Sequence, residues 1–154
     1  MLKVNDKIPS FEILTDKTPF KVSDHIGKKI VIFFFPKADT SGCTAESIAF
    51  TNLQKEFDQL NCIIIGISKD KPQKQAKFRE KYNLTCELGA DYENNVCEQF
   101  GVWVEKSMYG RKYMGIQRST FLCDEVGIVK KVWEKVKVPG HADEVLEAVR
   151  ELVN

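Results

Sequence analysis

The chain has 154 residues, enough for one domain that buries a core without a disulfide framework or a structural metal. Its 23 lysines and arginines are balanced by 22 acids for a net charge of +1, and both signs are mixed along the whole length. No field of one sign exists to recruit nucleic acid or an anionic membrane, so the expected partners are small molecules and proteins.

The opening stretch MLKVNDKIPS alternates charges with single apolar residues and lacks the apolar run of a secretion signal, so a cytoplasmic location is expected. The longest apolar run, Ile30 to Phe35, suits a buried strand and is far too short for a membrane span. With Cys62 to Ile65, which leads into Gly66 and Ile67, it predicts two strands buried on both faces. Between them Phe50, Leu53, Phe57 and Leu60 recur at helical spacing and predict one amphipathic helix from about Cys43 to Leu60. Such a strand, helix, strand unit makes a parallel pair with a right-handed crossover. Its first loop falls at the carboxyl edge of the sheet, where ligands bind.

Farther along, Pro72 opens a largely exposed helix through Tyr82, with Ala76 and Phe78 as its apolar minority and Asn83 as its stop. A strand is predicted near Cys86 to Leu88, then a short helix from Asn94 to Phe100 ended by Gly101. Ser107 to Gly115 reads as a loop. Arg118 to Cys123 and Ile128 to Trp133 read as two strands of a hairpin that turns through Asp124 to Gly127. The last helix carries Val145, Leu146, Val149, Leu152 and Val153 on one stripe and begins at His141. Without repeats or linkers, residues 1–154 form a single domain. Helices interleaved with strands and a late hairpin predict an α/β, thioredoxin-like three-layer sandwich with a mixed central sheet flanked by helices.

The cysteines stand at 43, 62, 86, 97 and 123, with no C-x-x-C pair and only His25 and His141 elsewhere. That spacing does not make a zinc site, and neither a metal nor an organic cofactor is expected. Most of the five are expected to be small buried apolar residues. Cys43 differs by position. It follows a buried strand and a turn rich in Pro36, Ser41 and Gly42, so it falls in the first turn of the next helix. There the free backbone N–H groups and the macrodipole favour negative charge and therefore the nucleophilic thiolate. Taken singly, its neighbours have plainer readings: Thr40 as a helix cap, Pro36 as a strand terminator, Arg118 as a solvated edge residue. Glu46, one turn on, favours the helix dipole but opposes a thiolate, or else orders the loop. Trp103 is expected to pack in the core or on a pocket wall, and both histidines are expected at the surface.

The pattern Pro36-x-x-x-Thr40-x-x-Cys43 resembles the active-site signature of peroxiredoxins. The flanks Tyr82-Asn-Leu, Ala90-Asp91, Val96 to Ser107 and Gly115 to Leu122 resemble the Q subfamily, the bacterioferritin-comigratory-protein type. The likeness runs from about Ile8 to the C-terminus. It implies a thiol peroxidase that reduces hydrogen peroxide and organic hydroperoxides through a sulfenic acid on Cys43. In that reading Thr40 hydrogen-bonds peroxide and thiolate, Pro36 screens the site from water, and Arg118 supports the thiolate and the departing oxygen. Relatives carry a resolving cysteine at positions equivalent to 48 or about 79, where this chain has Ile48 and Arg79. A one-cysteine cycle is therefore expected, with thioredoxin or glutathione and glutaredoxin as reductant. Among the remaining cysteines Cys86 is the first candidate for an atypical internal resolver. A monomer or weak homodimer is expected.

Rival chemistries lack their residues. A thiol-disulfide oxidoreductase needs a cysteine where Glu46 stands, and a tyrosine phosphatase needs an arginine where Ala49 stands. A cysteine hydrolase needs His25 or His141 beside Cys43. A non-enzymatic redox sensor would need less transition-state machinery than Thr40 and Arg118 supply.

Overall fold

The computed structural model describes residues 1–152. Strands β1 (Glu12–Thr15) and β2 (Phe20–Lys21) make a short hairpin, followed by β3 (Lys29–Phe34), α1 (Ser41–Asn52), α2 (Gln54–Gln59) and β4 (Cys62–Ser68). Then come α3 (Pro72–Tyr82), β5 (Glu87–Ala90), α4 (Val96–Phe100), β6 (Trp103–Met108), β7 (Arg111–Ile116), β8 (Ser119–Cys123), β9 (Val129–Trp133) and α5 (His141–Glu151). The main sheet runs β2-β1-β5-β4-β3-β8-β9. β3, β4 and β5 are parallel, while β8, β9 and β1 run antiparallel to their neighbours. The architecture is the predicted thioredoxin-like one, with β4 as the middle strand and β3 beside it.

The apolar run of β3 feeds both faces because alternate side chains point opposite ways. Val31, Phe33 and Phe35 enter a core with Phe50, Phe57, Phe78, Val145 and Val149 from the helices α1, α2, α3 and α5. Ile30, Ile32 and Phe34 enter a second core with Phe11, Phe20, Val96, Phe100 and Ile116. Gly66 sits opposite Phe33 in the parallel register, and a Cβ there would lie within 3 Å of the Phe33 ring. Phe33 in turn stacks on Phe50 with ring centroids 4.7 Å apart. Among the described residues no helix is long and apolar enough to cross a membrane.

Three expectations change, and one lies outside the described residues. The segment predicted as a single helix breaks at Leu53 into α1 and α2, which keeps Phe50 and Phe57 aimed at the same core. On α3 the residues buried against the body are Gln75 and Phe78, while Ala76 faces solvent. Gln75 is admitted because its amide donates to Ser68 Oγ (2.9 Å) and the Gly89 carbonyl (3.0 Å). Ser107 to Gly115 is not a loop. It belongs to the hairpin β6–β7, turned at Tyr109 and Gly110, both with positive φ. Val153, counted in the stripe of the last helix, lies outside the described residues.

Candidate active site

The loop after β3 is fastened before it reaches α1. Ala38 N–H donates to Asp70 Oδ2 (2.8 Å), which also accepts from Ser68 Oγ (2.7 Å). Asp39 adopts a left-handed backbone (φ 63°), and its carboxylate takes the Tyr82 hydroxyl (2.6 Å) and the Lys81 ammonium (3.1 Å). Those two partners, Tyr82 foremost, hold its carboxyl below the ordinary range. Thr40 is the N-cap residue of α1 by backbone geometry, and its carbonyl accepts from Thr44 N–H (2.8 Å). Its hydroxyl donates backwards to the Lys37 carbonyl (2.7 Å) instead of capping the helix. The lone pairs of that hydroxyl remain as acceptors. Pro36 and Thr40 are exposed on the outer side of the loop.

Cys43 is the third residue of α1 and is 1% exposed. Arg118, immediately ahead of β8, extends over this turn. Its Nη2 donates to Cys43 Sγ at 3.2 Å and its Nη1 to Glu46 Oε1 at 2.6 Å. Gly42 permits the approach, since a Cβ there would stand 3.2 Å from Arg118 Nη2. One guanidinium thus bridges two groups one turn apart on α1, using the fixed fork that lysine lacks. Burial works against the charge of Arg118, but Glu46 and Cys43 outweigh it and raise the guanidinium above its ordinary value. Glu46 itself is 1% exposed, and burial pushes its carboxyl up to about 7 against the pull of Arg118.

The other four cysteines differ from Cys43 in their surroundings. Burial pushes the thiols of Cys62, Cys86 and Cys123 up to about 12, and that of Cys97 up as well. All five are unbridged.

Three comparisons bear on this geometry. The AhpC/TSA family profile matches residues 4–132. The chain belongs to the AhpC/TSA family. It is 43% identical over 146 residues to a putative peroxiredoxin Bcp of Coxiella burnetii, covering 94% of this chain and 97% of the relative. It is 41% identical over 152 residues to the peroxiredoxin Bcp of Bacillus subtilis, covering 98% and 97%. Among solved structures, a Xanthomonas campestris bacterioferritin comigratory protein with alkyl peroxide reduction activity superposes with a TM-score of 0.92 at 35% identity, covering 99% of this chain and all of the other. A cysteine-to-serine mutant of Xylella fastidiosa PrxQ gives 0.94 at 31% identity, covering 100% and 99%.

In this peroxiredoxin the structure brings Cys43 and Arg118 into contact and sets Thr40 and Pro36 on the loop leading to them. Arg118 is therefore not the solvated edge residue its sequence position allows. Glu46 is the residue undervalued in the sequence: its place one turn after Cys43 was visible, but its pairing with a residue 72 positions away was not. The expectation of two surface histidines fails at one of them. His141 is 4% exposed and its Nε2 shares a hydrogen bond with Thr120 Oγ1 at 2.8 Å, while Phe50 and Trp133 meet its ring edge-on. Its place one turn before Val145, at the head of the apolar stripe, was the available signal. His25 is half-buried and stacks on Phe20.

Proposed function

We propose that this peroxiredoxin reduces hydrogen peroxide and organic hydroperoxides through Cys43, with an external thiol closing a one-cysteine cycle. The observation that carries the reading is the Arg118 guanidinium, held by Glu46, 3.2 Å from Cys43 Sγ. The thiolate attacks the terminal oxygen of ROOH; the S–O bond forms as the O–O bond breaks, and RO⁻ leaves to take up a proton. Cys43 becomes a sulfenic acid and ROOH becomes ROH. Negative charge passes from sulfur to the departing oxygen, so a fixed cation beside both acts more strongly in the transition state than in the ground state. Thr40, whose hydroxyl proton is engaged by Lys37, has lone pairs to accept a hydrogen bond from the peroxide, and Pro36 shields the approach. Holding the O–O bond in line with Sγ contributes up to ~7 kcal/mol in favourable cases.

Burial of the other thiols supports external reduction. At Cys86 burial pushes the thiol up to about 12 and keeps it in the poorly nucleophilic protonated form near neutral pH. Thioredoxin, or glutathione with glutaredoxin, fits the reductant class. The test is stopped-flow consumption of hydrogen peroxide by the reduced protein and by Cys43→Ser, followed by mass analysis. Rapid loss in the wild type alone, leaving a sulfenic acid reducible by added thiol, is expected. A Cys43–Cys86 disulfide would keep the peroxidase but replace external with internal resolution, and undiminished kinetics in Cys43→Ser would sink the assignment.

A further inference from the structure

We propose that the cleft beside Arg118 is a subsite for the carboxylate of a small-molecule thiol, held by Lys106, Lys135 and Gln117 while its sulfur reduces the Cys43 sulfenic acid. The inference rests on the peroxidase reading above and names the co-substrate of the same site.

The cleft, about 520 Å³, lies between the β6–β7 hairpin and the segment after β9. Arg118 forms part of its wall and also donates to Cys43 Sγ, so one residue links the cleft to the reacting sulfur. Lys106 reaches in from β6. Its stem lies against Gly115, where a Cβ would stand 3.2 Å from Lys106 Cδ, and the packing sets the direction of the half-buried chain. Lys135 is placed by a left-handed backbone (φ 49°), and its neighbour Val136 donates N–H to the Arg118 carbonyl at 2.9 Å. The Gln117 amide, also half-buried, has no protein partner among the described residues.

Charge in the cleft is uncompensated. Neither Lys106 nor Lys135 has a carboxylate within 4.0 Å among the described residues. The one acid on the wall, Glu105, faces Lys112 at 3.7 Å. Burial first and then the neighbouring Arg118 lower the Lys106 ammonium from its ordinary value, opposed by the charge of Cys43. An anion between Lys106 and Lys135 relieves that repulsion, and two ammoniums with an amide donor suit a carboxylate. The same positive mouth concentrates thiolate over thiol. The sulfur of the bound thiolate attacks the Cys43 sulfur; an S–S bond forms, the S–O bond breaks, and hydroxide leaves as water after taking a proton from solvent. A second thiolate then attacks the ligand sulfur of the mixed disulfide, releasing Cys43 as thiolate and the ligand as its symmetric disulfide.

The test uses the full chain oxidised with one equivalent of hydrogen peroxide, its sulfenic acid verified by dimedone labelling. Mixed-disulfide formation is then followed by quenched mass analysis with 3-mercaptopropionate, 2-mercaptoethanol and cysteamine, each rate divided by its thiolate concentration. One half-buried ion pair at Lys106 and one exposed pair at Lys135 predict a preference of up to about tenfold for 3-mercaptopropionate over 2-mercaptoethanol at low salt, with cysteamine slowest and the preference fading as salt rises. The ratio should fall towards one in K106Q/K135Q and survive in K106R/K135R. Because each ratio is taken within one protein, a change in peroxide reactivity does not mimic it, and circular-dichroism spectra and melting midpoints matching wild type exclude loss of fold. Equal rates in the wild type, or a ratio unmoved in K106Q/K135Q, overturn the subsite. Failure of the wild type to form a dimedone adduct overturns the peroxidase reading instead, and the subsite with it.

Discussion

Replacing Glu46 by glutamine tests whether the carboxylate that holds Arg118 is costly to ionise. The carboxyl has an ordinary value of 4.5 and is pushed up to about 7 in the fold by burial, with the pull of Arg118 only partly offsetting it. Between those two values the folded state binds more protons than the unfolded chain, so this group makes stability fall as pH rises. Titrating both states from pH 5 to pH 8 gives a loss on the order of 2–3 kcal/mol assigned to Glu46. In Glu46→Gln the shape is kept and the titration is gone. A buried amide has its own hydrogen-bonding cost of about 1–3 kcal/mol, but that offset is the same at every pH. The wild-type minus variant difference in unfolding free energy should therefore move by roughly 2–3 kcal/mol across the range, in favour of the variant at high pH. Urea titrations at several pH values read this as a relative midpoint shift of about 1 M. His141 acts in the opposite sense. Burial lowers it from 6.5 to about 4, so it adds stability as pH rises through that window. It is present in both proteins and cancels in the difference. Parallel stability curves for the two proteins would refute a raised Glu46.

Three further outcomes follow from the same geometry. Arg118→Lys should lower the second-order rate with hydrogen peroxide by about 100-fold, because an ammonium cannot span Cys43 and Glu46 together, and stopped-flow rates within twofold of wild type would contradict this. Gly66→Ala should cost about 1–3 kcal/mol in urea unfolding, since the new methyl meets the Phe33 ring already stacked on Phe50; an unchanged midpoint would mean that the stack gives way freely. Cys86→Ala should recycle with an external thiol as fast as wild type over repeated turnovers, and a stall after one turnover would identify Cys86 as a resolver.

The centre of this fold was legible because its signals are local. Continuous apolar runs at Ile30 to Phe35 and Cys62 to Ile65 admit no solvent face, and β3 and β4 pair over that whole length. Cys43 was legible for a similar reason: a strand, a turn and a helix start fix its position without reference to distant residues. The β6–β7 hairpin escaped because pairing there leaves most side chains exposed on both faces, so no alternation marks it. Its Tyr109-Gly110 turn is weaker punctuation than an Asn-Gly pair. His141 escaped because a lone histidine at a helix start reads as polar, whereas Thr120 supplies a buried partner from another strand. Arg118 required tertiary information altogether, since its two contacts lie 72 and 75 positions earlier in the chain.

Burial alone does not separate Cys43 from the other cysteines, for all five are buried. What separates them is the polarity of the nearest groups. Cys43 has a guanidinium at 3.2 Å and the start of a helix, while Cys86 and Cys123 sit at 2% and 0% exposure inside apolar clusters. The two positions where resembling proteins place a second thiol are committed to structure here. Ile48 packs against the helical core, and Arg79 spans Asp16 at 2.6 and 3.1 Å while also donating to the Leu84 carbonyl at 2.8 Å. That bidentate pair ties α3 to the turn after β1, and burial of Asp16 at 4% makes breaking it expensive. Opening α3 to bring a thiol toward Cys43 would leave the Asp16 carboxylate without its cation. The anchoring of Ile48 and Arg79 in their elements is what supports the proposed reductant from solution over an internal one.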